Sequence, residues 1–93
     1  MITIERYSSK TGVSTDFLLG KSRRFHISLA REMYWLYLRK NGFTYHEIAE
    51  MFGRRQHSTV SSGINTAKNM LLTKEEWALF CIEALNMRGD EFF

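Results

Sequence analysis

Apolar residues recur along most of the chain at helical spacing, and polar or glycine breaks divide them into about six segments. Thr3 to about Thr11 reads as a short helix, with Ile4, Tyr7 and Thr11 on one side and Gly12 as its stop. Ser14-Thr15-Asp16-Phe17-Leu18-Leu19 fits a brief second helix, capped by Ser14 or Thr15 and closed by Gly20. The longest element is expected from about Phe25 to Asn41. Ile27, Ala30, Tyr34, Tyr37 and Leu38 form its stripe, and Leu29, Met33 and Leu36 widen it, so it should be a central helix contacted on more than one side. Its tyrosines and Trp35 are read as core, not as a platform for stacked bases. Asn41-Gly42 ends it.

Two shorter periodic segments follow, over about 44–52 and 57–71, joined by a glycine turn. Thr44 and Glu47 have the spacing of a capping box, and the helix they open should bury Ile48, Ala49, Met51 and Phe52. In the next helix Val60, Ile64, Ala67 and Leu71 make one core-facing stripe. The opposite face carries Ser58, Ser61, Ser62, Asn65, Lys68 and Asn69, side chains short enough for a helix to lie deep in a groove. A last helix, within 73–86, is expected from a second capping box at Thr73–Glu76, with Trp77, Phe80, Cys81, Ala84 and Leu85 inward. Residues 87–93 read as a loose tail, although Phe92 and Phe93 offer docking groups.

The fold class is therefore all-α, with a central long helix and a helix-turn-helix, in one domain over residues 1–93. With 44% hydrophobic and 14% aromatic residues the chain can fill a modest core, and its lack of proline permits long helices. No apolar run approaches the roughly 20 residues of a membrane span, and Met1–Arg6 lacks the order of a signal peptide. The lone cysteine, Cys81, reads as a buried small hydrophobe in a reducing compartment. A cytoplasmic location at the bacterial nucleoid is the corresponding expectation.

Charge sharpens this picture. The net charge is only +3, yet residues 20–60 hold eight basic side chains against three acidic ones, whereas two basic side chains face five acidic ones from Thr73 onward. No carboxylate occurs between Glu50 and Glu75. Positive charge concentrated on the helix-turn-helix is the electrostatic footprint expected of a nucleic-acid binder, although a charge run by itself is usually just a solvated face. Within Gly53-Arg54-Arg55-Gln56-His57-Ser58-Thr59-Val60, Arg54 and Arg55 are placed to meet phosphates, and Gln56, His57 and Ser58 to meet base edges. Thr59, Ser61, Lys68, Lys21 and Arg24 are further phosphate candidates. For His57 the alternative is capping of its own helix.

These residues resemble a known family. Leu18-Leu19-Gly20-Lys21-Ser22-Arg23, Ala30-Arg31-Glu32-Met33, Glu47-Ile48, Phe52-Gly53 and Arg55-Gln56-His57-Ser58-Thr59-Val60 look like the C-terminal DNA-binding domain of DnaA-type bacterial replication initiators, in the family's order over about residues 12–71. The resemblance implies a six-helix fold of the Trp repressor and initiator type. It also implies that the signature helix enters the major groove of an origin box while Arg23, from the basic loop, reaches the adjacent minor groove. Three departures stand out. Gln56 replaces an aspartate, Ser58 replaces a threonine, and His46 replaces a proline. Carboxylates accept from cytosine N4 whereas glutamine pairs with adenine, so base preference should be altered, by roughly 1–3 kcal/mol for each change.

Nothing resembles the phosphate-binding Gly-x-x-x-x-Gly-Lys-Ser/Thr of the ATPase that such initiators carry. The chain is expected to be a stand-alone relative, with a fragment as the alternative. No cofactor, metal or small-molecule substrate is expected, because His26, His46, His57 and Cys81 are scattered without ligand spacing and Cys81 has no activating neighbour. The chain is therefore read as no enzyme. The expected partner is double-stranded DNA, with a replication initiator or other replication protein as a further one. Its expected role lies in replication initiation or its regulation. The alternative is a protein-interaction module or transcriptional regulator without origin-box specificity, built on the acidic, aromatic C-terminal segment.

Overall fold

Helix α3, Phe25–Lys40, runs through the middle of the protein and is buried from Ile27 to Leu38 except at Ser28 and Glu32. Around it stand α1 (Ile4–Thr11), α2 (Thr15–Leu19), α4 (Tyr45–Met51), α5 (His57–Leu72) and α6 (Glu76–Ala84). The computed structural model describes residues 1–53 and 55–87, and among these there are six helices and no strand. α3 packs against α2, α4, α5 and α6, while α1 closes over α2 and α6. The expected all-α architecture with a central helix is what forms.

Local chemistry sets most boundaries. Thr3 caps α1 by accepting from the Arg6 amide, and Gly12 ends it at φ +78°. Ser14 caps α2 by accepting from the Phe17 amide. The α3 tyrosines are core, as the spacing predicts, and they also tie down the N-terminus. The Tyr34 hydroxyl donates to the Ile2 carbonyl at 2.7 Å, the Tyr37 hydroxyl accepts from the Ile2 amide, and the Tyr7 hydroxyl donates to the Ala30 carbonyl at 2.7 Å. Buried hydroxyls with partners avoid the desolvation cost of unpaired ones. Cys81 is buried against Tyr7, and burial pushes its thiol up to about 11.

Three expectations fail. Met51 is 46% exposed, because Ile48, Ala49 and Phe52 already fill the one buried side that a seven-residue helix offers. The capping box at Thr73 does not form. α5 continues to Leu72, the Thr73 hydroxyl donates back to the Asn69 and Met70 carbonyls, and Lys74 turns the chain at φ +57°. Glu75 is the cap that opens α6, accepting from the Ala78 amide at 2.8 Å. Finally, α6 turns Ala78, Cys81, Ile82, Ala84 and Leu85 inward. Phe80 is 46% exposed and stacks on half-buried Trp77, whose indole nitrogen donates to the His26 carbonyl. The expectations for Arg54 and for residues 88–93, Phe92 and Phe93 included, lie outside the described residues.

Candidate nucleic-acid interface

The two helices of the helix-turn-helix begin in opposite ways. At α4 the expected capping box is complete: Thr44 Oγ1 accepts from the Glu47 amide at 3.1 Å and Glu47 Oε1 accepts from the Thr44 amide at 2.9 Å. Those bonds hold the Glu47 carboxyl below its ordinary value. Gly53, at φ +80°, then turns the chain, and the Arg55 amide donates to the Ala49 carbonyl. Gln56 is the N-cap of α5, yet its side chain makes no capping bond, and the first turn of α5 contains no acidic residue.

Gln56, His57, Ser58 and Thr59 are all exposed there. The positive end of the α5 dipole and its first amides therefore face outward among short polar side chains, an arrangement suited to anions and base edges. His57 does not cap the helix. Its ring stands edge-on to Tyr45, 5.2 Å between centroids, and 5.7 Å from His46, so α4 supports it from behind.

The basic loop, residues 20–24, is brought to this place by two arginines. Arg31 is only 4% exposed. Its Nε donates to the Leu18 carbonyl at 2.8 Å, one terminal nitrogen donates to Phe17 at 2.8 Å, and the other donates to Ser22 at 3.0 Å. The guanidinium thereby satisfies carbonyls at the end of α2 and fixes the start of the loop. Arg55 donates to the Gly20 carbonyl, and its guanidinium lies 5.5 Å from the centre of the Trp35 ring. Burial lowers the values of both arginines, and for Arg31 the neighbouring Arg55 charge adds to the effect. Two buried donors here, Arg55 Nε and Trp35 Nε1, have no hydrogen-bond partner among the described residues.

One cleft joins these parts, with Lys21 and Arg23 from the loop and Arg55, Gln56 and Thr59 from the turn and α5 along its walls. Lys21, Arg23 and Arg24 are exposed; Ser61 and Lys68 are half-buried on α5. The structure thus brings the loop residues and the start of α5 onto one surface, and gives Arg55 an internal tether in addition to its place on that surface.

Three residues have roles here that sequence spacing does not show. Arg31 enters the sequence analysis only within the charge count of residues 20–60 and the family resemblance. Gly63 lets α5 lie against α3, since a Cβ there would stand 2.6 Å from Trp35 Cζ3. Glu32 is half-buried beside α5, and burial pushes its carboxyl up to about 7, partly offset by Arg31. Among the described residues no group of three His, Cys, Asp or Glu is placed to hold a metal, and no helix is long and apolar enough to cross a membrane.

Residues 4–67 match the family model described as bacterial dnaA protein helix-turn-helix. No curated protein and no solved structure gives a significant match.

Proposed function

This chain belongs to the bacterial DnaA helix-turn-helix family, and from that premise we propose that it reads a preferred duplex sequence in the manner of an origin-box binder, in replication initiation or its regulation. Binding to double-stranded DNA is the property of the family's domain. The finer reading rests on one observation: the exposed basic loop and the uncapped start of α5 share a single cleft. A helix presenting its N-terminal end fits the major groove, and a loop beside it lies across the intervening backbone from the next minor groove. In this reading Gln56, His57 and Ser58 meet base edges and Arg23 enters the minor groove, where a narrow A·T tract concentrates negative potential. Lys21, Arg24, Arg54, Thr59, Ser61 and Lys68 meet phosphates. Arg55 contributes charge while tethering the loop to the turn, so its loss should weaken all sequences and blur the contribution of Arg23.

Selection from a random duplex pool at about 150 mM salt tests this, because specific contacts must outlast the screened phosphate term. The expected result is one enriched motif related to an initiator box, changed where Gln56 reads it. Its affinity should fall with salt at a log–log slope of about −0.9 per phosphate neutralised. A pool that enriches nothing would overturn sequence readout and favour the protein-interaction alternative.

A further inference from the structure

Glu32 stands where three surface clefts meet. One is the cleft between the basic loop and the turn. A second runs along α5 past Ser58, Ser62 and Gly63, and a third lies between Arg23 and Thr66. Its Cγ lies 3.0 Å from the position that a Gly63 Cβ would occupy, so the side chain is wedged against the α5 backbone. Its carboxylate has neither hydrogen bond nor ion pair among the described residues. The nearest cation in sequence, Arg31, spends its guanidinium on the Phe17, Leu18 and Ser22 carbonyls. Lys21 and Arg23 approach from the loop and Arg55 from the turn, while α5 presents only the neutral Ser58, Thr59, Ser62 and Thr66. A carboxyl group therefore sits in the middle of the surface assigned to DNA, with no partner of its own.

An ionised carboxylate at that place would repel a phosphate, whereas a protonated one has an O–H to donate to it. Burial raises the carboxyl to about 7, so near pH 7 the neutral and ionised forms are both present. A phosphate brought into the clefts adds a like charge and favours the neutral form. We propose that Glu32 is a DNA contact that meets a backbone phosphate as its protonated acid, so that each chain takes up a proton from solvent as it binds. The proposal rests on the reading of the loop and α5 as the DNA face.

The test is affinity for a fluorescent duplex between pH 6 and 9 at constant ionic strength, for the wild type, Glu32→Gln and His57→Asn. His57 is included as the imidazole at the exposed start of α5. Wild-type affinity should fall by up to about tenfold per pH unit above about 7, the limit set by uptake of one proton. Glu32→Gln should abolish most of that fall and bind more tightly than wild type at pH 8.5; His57→Asn should retain it. Calorimetry at pH 7.5 in two buffers of different ionisation enthalpy should show proton uptake that Glu32→Gln removes. Binding at pH 6 with a flat wild-type profile, or a Glu32→Gln profile that parallels wild type, would overturn the role of Glu32 and leave DNA binding standing. Absence of binding at every pH would overturn both.

Discussion

The side of the molecule built on α1, α3 and α6 and the side built on the loop and turn treat polar groups in opposite ways. On the first, Tyr7, Tyr34 and Tyr37 are buried and each hydroxyl has a backbone partner, so the N-terminal segment and the helices interlock. On the second, among the described residues, Trp35 Nε1 and Arg55 Nε have no hydrogen-bond partner, α5 starts without a side-chain cap, and the half-buried Glu32 carboxyl has only the Arg31 charge to offset its burial. Buried polar groups left open cost stability. They are concentrated beside the cleft that the proposed function assigns to DNA. The same contrast divides the helix-turn-helix itself, with α4 sealed by Thr44 and Glu47 and α5 left open.

Removing the support beneath the open side should have the largest effect. Arg31→Ala removes the guanidinium donors to the Phe17, Leu18 and Ser22 carbonyls, of which Phe17 keeps a bond from the Gly20 amide, and should cost about 3–5 kcal/mol in denaturant unfolding. Arg31→Lys should recover only part of this, because an ammonium cannot span the three acceptors as a planar fork does. A loss below 1 kcal/mol would show that the loop holds itself. Next comes Gly63→Ala. Better helix propensity offers about 1 kcal/mol, but the new methyl meets the buried Trp35 ring, and overpacking should leave a net loss of roughly 1–2 kcal/mol.

Gln56→Asp touches the contrast from the other direction. It supplies the missing cap, raising stability by about 0.5–2 kcal/mol, while moving base preference toward cytosine at one position by roughly 1–3 kcal/mol. Thermal unfolding and competition between duplexes would read the two effects separately.

The effect of pH on folding is of similar size and is spread over several pH units. The Glu32 carboxyl is raised from 4.5 to about 7 in the folded state, so its favourable contribution is fully present below about 4.5 and is lost as the pH rises through about 7. After solvent screening the loss should be about 1–2 kcal/mol between pH 5 and 8, and Glu32→Gln should remove it.

Much of this was legible in the residues, and the exceptions have physical causes. Periodicity placed α4 and α5 because each has one apolar stripe, length and a clear Asn41-Gly42 stop placed the many-sided α3, and the Thr44–Glu47 box is a local interaction that three residues of spacing reveal. α6 is apolar on too many sides for periodicity to choose between Phe80 and Ile82, and packing against Tyr7 and α3 decided it. Thr73 fails as an N-cap because it is the C-cap of α5, with its hydroxyl bonded back to Asn69 and Met70 and the chain turning at Lys74. The bracing role of Arg31 is not legible because its acceptors are backbone carbonyls 9, 13 and 14 residues earlier in the chain, which no pattern of side chains records. Glu32 was hidden for a similar reason: its burial comes from Gly63, on another helix.

The most direct test of the account is to follow backbone amide chemical shifts while a duplex is added. Residues 20–24 and 56–63 should shift together and saturate at one stoichiometry, while the amides around Tyr7, Tyr34 and Tyr37 stay in place. Shifts confined to the Trp77–Phe80 surface of α6, with the loop and the start of α5 unmoved, would contradict it.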